Sequence, residues 1–92
     1  MFDWDPTKNQ ANIEKHGISF SQAESIFSNE PLLIEPDTRK DYGEDRHNAF
    51  GLLGEIGLIA VGFTFREDQI RIFTARPASR QERRKFNEAI RS

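Results

Sequence analysis

The chain has 92 residues, 36% hydrophobic and 30% charged, with 13 Lys+Arg against 15 Asp+Glu and no cysteine. At roughly 100 to 200 residues per domain, residues 1–92 are expected to form one small domain whose core lies near the lower limit of independent stability. The lack of cysteine excludes a disulfide scaffold, a thiolate zinc site and a cysteine nucleophile, and suits a reducing cytoplasm.

Phe2 and Trp4 alternate with Asp3, which predicts a short strand or extended anchor that buries two aromatics. Asp3, Asp5 and Glu14 stand where the apolar region of a secretion signal would run, so no such signal is expected. Asp5 is a good N-cap, Pro6 suits the first helical position and Gly17 is placed as a stop. Ser19-Phe20-Ser21-Gln22 is a capping box that opens a second helix, with Ile18 as a staple onto Ala23. Phe20, Ala23, Ile26 and Phe27 supply its apolar stripe, and the helix is expected to reach about Ser28.

Beyond Pro31 the pattern becomes extended. Leu32-Leu33-Ile34 reads as a strand, and Pro36 with Asp37 to Asp45 reads as a loop. His47 to Leu53, Leu58 to Arg66 and Ile70 to Arg76 are strands whose connections are short enough to demand antiparallel hairpins. Leu52 to Phe65 is the most apolar stretch, but it contains Glu55 and falls short of the ~20 residues of a membrane span. Ile59, Val61, Phe63 and Phe65 share one face of their strand, while Leu58, Ala60, Gly62, Thr64 and Arg66 share the other. That second face leaves room above the sheet for a packed helix or for a ligand. Strict alternation on the last strand sets Ile70, Ile72, Thr74 and Arg76 against Arg71, Phe73 and Ala75, with an arginine on each face.

After Pro77, Ser79-Arg80-Gln81-Glu82 caps a terminal helix with Phe86, Ala89 and Ile90 as its apolar stripe and Arg80, Arg84, Asn87 and Arg91 along a basic one. The order β-α-α-β-β-β-β-α predicts an α+β domain. Its sheet is mostly antiparallel with four to five strands, accompanied by two N-terminal helices and one C-terminal helix.

The net charge of -2 conceals a division. Residues 1–62 hold five basic side chains against eleven acidic ones, whereas residues 63–92 hold eight basic, seven of them Arg, against four acidic. Such a split either makes one face basic enough to attract phosphates or simply neutralises itself in the fold. Asp37, Asp41, Glu44, Asp45 and His47 cluster but lack the order of a calcium loop, and His16 and His47 show no ligand spacing, so neither metal nor cofactor is expected. No nucleophile elbow or phosphate-binding P-loop is present.

Arginine remains: Arg46, Arg66, Arg71, Arg76, Arg80 and Arg83 fall at strand ends, along one strand and at a helix start. Guanidinium groups bind phosphate bidentately and stabilise charge developing on phosphorus. Any one of them is equally a salt-bridge partner, so the reading rests on the group. His16 is either a general acid or base, or a cation complementing the end of the first helix. Glu44 either accepts a proton or is an ordinary loop carboxylate.

Phe2-Asp3-Trp4-Asp5-Pro6-x-Lys8 and Asn12-Ile13-Glu14-Lys15-His16-Gly17-Ile18-Ser19-Phe20 resemble the opening signature of the BrnT toxins of bacterial type II toxin-antitoxin systems. Glu44-Asp45-Arg46 with Gly51 resembles the family's E-x-R segment, although an aromatic is common there where this chain has His47. Ile70-Arg71-Ile72-Phe73-Thr74-Ala75-Arg76 and Ala78-Ser79-Arg80-Gln81-Glu82-Arg83-Arg84-Lys85-Phe86 resemble its last strand and helix.

The resemblance implies a compact RelE-like fold, ribonuclease activity that blocks translation, and a BrnA-like ribbon-helix-helix antitoxin as partner in a hetero-oligomer. Operator DNA would be met only through that antitoxin. Carried onto matching positions, it implies catalytic work for Lys15, His16, Glu44, Arg46, Arg71 and Arg76, and RNA binding for Arg80 and Arg83. Arg66 joins the RNA-binding set from its place among the arginines. The expected function is a metal-independent endoribonuclease that works by attack of the RNA 2′-hydroxyl on its own phosphodiester. The alternative is a non-catalytic module that binds an antitoxin and contributes to operon autoregulation.

Overall fold

The computed structural model describes residues 1–38 and 45–91. Glu44 and Asp41, named above as candidates, lie outside the described residues.

The chain begins with β1 (Phe2–Asp3), then α1 (Pro6–His16) and α2 (Phe20–Glu24), which continues as a 3-10 turn over Ser25–Ser28. The caps are those expected from the sequence. Asp5 Oδ1 accepts the Thr7 N–H at 2.8 Å, and Gly17 closes α1 at φ 71°, a left-handed conformation that glycine adopts without strain. Both halves of the Ser19/Gln22 capping box are made, at 3.0 and 2.9 Å.

β2 (Leu32–Pro36), β3 (Arg46–Leu53), β4 (Gly57–Arg66) and β5 (Gln69–Pro77) follow as an antiparallel series. Pro36 ends β2 rather than opening the loop. It is tolerated there because β2 is an edge strand. Glu67 and Asp68, both at positive φ (51° and 68°), turn β4 into β5. β1 then pairs in parallel with β5, through Phe2 opposite Ile70 and Asp3 opposite Arg71, so the five-stranded sheet is mixed, in the order β1-β5-β4-β3-β2.

The helical segment before β2 covers one face of the sheet. Phe20, Ile18 and Ile26 meet Ile59, Val61, Phe63 and Ile72 in the larger core, all with at most 1% of their surface exposed. Gly51 lets the 3-10 turn approach, since a Cβ there would stand 2.9 Å from the Ile26 Cβ. Trp4 and Phe2 anchor the N-terminus edge-on against Phe20 and tilted against Phe27. His47 occupies an aromatic's place, stacked on Phe63 at 5.5 Å and 22°.

α3 (Arg80–Arg91) covers only part of the opposite face. Phe86 packs with Phe50, Leu58, Ala60 and Ala78, but Ala89 is exposed and Ile90 is 49% exposed, so the expected stripe is buried only at Phe86. The sheet face of small residues thus holds a helix at one end and, among the described residues, is open at the other.

A bulge corrects the expected alternation of β5. Gly62 pairs with Thr74 while Phe63 pairs with Ile72, which leaves Phe73 as the extra residue. Ala75 therefore joins Ile72 in the buried core. Arg76, opposite Ala60, moves to the face that already carries Arg71, opposite Thr64. Both arginines share the α3 side. Among the described residues no helix is long and apolar enough to cross a membrane.

Candidate functional site

The open end of the α3 face gathers cations from four elements of the chain. Arg46 enters at the start of β3, Arg66 at the end of β4 and Arg71 on β5, and Lys8 reaches the same pocket from the first turns of α1. Their positions follow from the pairing. Arg46 and Arg71 both stand opposite Thr64, one on each neighbouring strand, and Arg66 is two residues beyond Thr64 on the same face. Thr64 is buried, and its Oγ1 donates to the Asp45 carbonyl at 2.6 Å, which fixes the entry of β3. Asp5, Ile72 and Phe73 complete the lining of a pocket of about 60 Å³, the size of one compact anion rather than a nucleoside.

The arginines are oriented before any ligand arrives. Arg71 donates to Asp3 Oδ1 at 3.0 Å across the β1–β5 pair, and the Arg46 guanidinium carbon lies 4.4 Å above the centre of the Phe73 ring. Four cationic groups line one small pocket, with Asp5 in its lining and Asp3 beside it, in a chain whose total charge is negative.

Arg76 belongs to a second group at the α3 end of the same face. It is held by Glu82 through two hydrogen bonds, 2.7 and 2.9 Å. That guanidinium, beside a carboxylate that also accepts the Ser79 N–H, lowers the Glu82 pKa to about 2. Arg83 is exposed and donates to the Ala78 carbonyl at 3.0 Å, and Arg80 is exposed at the start of α3. Lys15 and His16 are in the last turn of α1, outside the pocket lining, where positive charge complements the helix end. The structure thus brings together Arg46, Arg66 and Arg71, sets Arg76 and Arg83 apart on the same face, and places Lys15 and His16 elsewhere.

A larger cavity of about 350 Å³ between β2, β3 and α3 has an apolar floor of Leu33 and Phe50. Its lining charges are Asp37, Glu35 paired with Lys85 at 2.8 Å, and Glu82 paired with Arg76, so it gathers one cation against three carboxylates.

The model of the family described as "Ribonuclease toxin, BrnT, of type II toxin-antitoxin system" matches residues 4–82. The chain belongs to the BrnT toxin family. Among solved structures it is similar to the Brucella abortus ribonuclease toxin BrnT, known from a 1.1 Å crystal structure. Identity is 30% and the TM-score 0.66, over 87% of this chain and 99% of that one. No curated protein sequence matches. The BrnT family match takes in every residue of the basic pocket and the Arg76–Glu82 pair, and it ends in the first turn of α3. Membership in a type II toxin-antitoxin family implies a cognate antitoxin.

Three pocket residues have no role in the sequence reading. Lys8 stands in the quoted opening motif, three residues after the N-cap, and nothing in its spacing shows that it turns toward β5. Thr64 and Phe73 are legible as strand residues alone, because only the pairing across β3, β4 and β5 brings them to the arginines.

Proposed function

We propose that the chain is the toxin of its system and an endoribonuclease that cleaves RNA by metal-independent transesterification. The observation that carries this reading is the convergence of Arg46, Arg66, Arg71 and Lys8 on one anion-sized pocket at the open end of a sheet face. The scissile phosphate binds there. The ribose 2′-oxygen forms a bond to phosphorus, the bond to the 5′-oxygen breaks, and the negative charge that builds on the phosphoryl oxygens is stabilised by guanidinium groups already held in place. The products are a 2′,3′-cyclic phosphate and a 5′-hydroxyl.

The reaction moves one proton from the 2′-hydroxyl and delivers one to the leaving 5′-oxygen. Apart from the arginines, Asp5 and Lys8 are the titratable groups that line the pocket among the described residues, and we assign the proton movements to them. Arg83, exposed on the same face, extends the binding track beyond the scissile phosphate, and Arg76, held by Glu82, fixes the start of α3 beside it. Neutralisation belongs to a ribbon-helix-helix antitoxin that covers this basic face and holds the toxin in a hetero-oligomer, through which operator DNA is met.

The test is cleavage of a mixed-sequence RNA by the purified chain, freed of its antitoxin, in EDTA and in magnesium. Equal cleavage in both, with cyclic-phosphate ends, supports the reading. Intact RNA in both overturns it in favour of a non-catalytic module, and cleavage confined to magnesium overturns the metal-independent mechanism.

A further inference from the structure

We propose that Phe73, with the Arg46 guanidinium laid over it, is the stacking position for the nucleobase next to the phosphate in the basic pocket. The proposal rests on the RNA reading above and adds a recognition element to it.

Phe73 is a large apolar residue that belongs to neither apolar cluster of the protein. The buried phenylalanines pack in the two apolar clusters, whereas the Phe73 ring lies beside Gly62 with the Arg46 guanidinium over it. The ring reaches across β4 because residue 62 is glycine: a Cβ at that position would stand 2.9 Å from Phe73 Cε1, 3.0 Å from Cζ and 2.6 Å from Thr74 Cγ2. The bulge that turns both Phe73 and Thr74 toward this face is centred on the same pair of strands. Bulges that re-aim side chains recur beside functional sites.

The ring also has the right neighbours. On one side is the pocket with Arg46, Arg66 and Arg71. On the other, along β5, stands Arg76 at the α3 end of the face. A single strand that crosses from one arginine group to the other passes over Phe73. Unpaired bases are recognised by stacking on aromatic rings and on guanidinium planes. A guanidinium makes its hydrogen bonds in its plane, so Arg46 can bind a phosphate and present its face to a base, with Phe73 as the backing layer.

The experiment is a binding cycle that uses the full chain. The cleaved linkage is first mapped, then closed by a 2′-deoxy substitution, and affinity is measured for this RNA and for versions with an abasic residue on either side. The expected result is a loss of about 10- to 100-fold for the abasic RNA at one flank with the wild-type protein. Phe73→Leu is expected to lose the same factor on intact RNA, with less than twofold further loss on the abasic RNA. Phe73→Trp restores both affinity and the abasic penalty.

Arg46→Lys keeps the charge but removes the planar layer, so it is expected to shrink the abasic penalty without changing the salt dependence. It carries the test if Phe73→Leu fails to melt as the wild type does. An abasic penalty of wild-type size in both variants overturns the stacking role. Cleavage of RNA with a flat cycle overturns this inference alone, whereas neither cleavage nor binding overturns the functional reading beneath it.

Discussion

Arg76 on β5 and Glu82 on α3 form a two-point ion pair, with Nη1 to Oε1 at 2.7 Å and Nη2 to Oε2 at 2.9 Å. The pair ties the terminal helix to the sheet just after Pro77. The same carboxylate completes the capping box by accepting the Ser79 N–H at 2.9 Å, so one side chain sets both the start of α3 and its docking. It also balances the Arg76 charge.

This pair predicts an acid-sensitive helix. Hydrogen bonding to Arg76 is the largest cause that brings Glu82 from 4.5 to about 2 in the folded chain. A carboxylate depressed on folding contributes stability that is fully present above its unfolded pKa and is lost as pH falls through the folded value. The contribution of Glu82 therefore disappears between about pH 4.5 and about pH 2. Glu82→Gln should destabilise the protein by about 1 to 3 kcal/mol at pH 7, allowing for a side chain that is 23% exposed, and should differ little from wild type near pH 2. Urea unfolding at several pH values measures this, and a pH-independent difference would refute the ion-pair origin.

Arg71→Ala is expected to lower kcat/KM for RNA cleavage by about 100- to 1,000-fold, the scale of a lost transition-state donor. Arg80→Ala, at an exposed helix start outside the pocket, should stay within about twofold. Binding of a non-cleavable RNA should weaken with salt at a log–log slope of about -2 to -3, which corresponds to three or four neutralised phosphates of a single strand. Each pocket cation removed should flatten that slope. A slope unchanged in the Arg71 variant would separate this residue from phosphate contact.

Much of the fold is legible in local sequence because its signals are local. The Asp5 and Ser19 caps, the Gly17 stop and the inward Ile59, Val61 and Phe63 need only neighbours within a few residues. The β5 alternation misleads because the bulge depends on how β4 pairs with it, and one extra residue at Phe73 reverses the facing of Ala75 and Arg76. The parallel partnership of β1 with β5 joins residues almost seventy positions apart, which no periodicity encodes. In the site, the arginines are visible as a group, but their division into a pocket set and an α3 set follows from cross-strand register and from Glu82. Ile90 keeps its apolar spacing in the sequence, yet it extends past the part of α3 that has sheet beneath it.

Asn12 is expected to be the most sensitive polar residue of the core. Its Nδ2 donates to the carbonyls of Ile18 and Ala75, both at 2.8 Å, and its Oδ1 accepts the Ala75 N–H at 3.1 Å, which fastens α1 to β5 immediately after the bulge. Asn12→Ala leaves the Ala75 N–H and two carbonyls buried without these partners, at about 2 to 4 kcal/mol. Asn12→Asp keeps the acceptor but loses both donors, and should be as damaging at pH 7. Chemical denaturation measures both. A loss below 1 kcal/mol would mean that α1 is not fastened to the sheet by this side chain.

His47 should show the opposite behaviour. Its ring packs like an aromatic, stacked on Phe63 and edge-on to Phe65 at 5.6 Å, and its Nδ1 is buried with no hydrogen-bond partner among the described residues. A buried polar atom without a partner forgoes its hydration, whereas a carbon in the same place forgoes nothing. His47→Phe preserves the planar shape, removes the orphaned nitrogen and adds apolar area against Phe63, so it is expected to stabilise the fold by about 0.5 to 2 kcal/mol. The side chain points to the face opposite the basic pocket, since Arg46 and Asn48 flank it on the strand and face the other way. RNA cleavage should therefore stay within about twofold while the melting temperature rises. A fall in stability would show that the nitrogen is satisfied in solution, and a fall in cleavage without a fall in stability would tie this imidazole to the reaction.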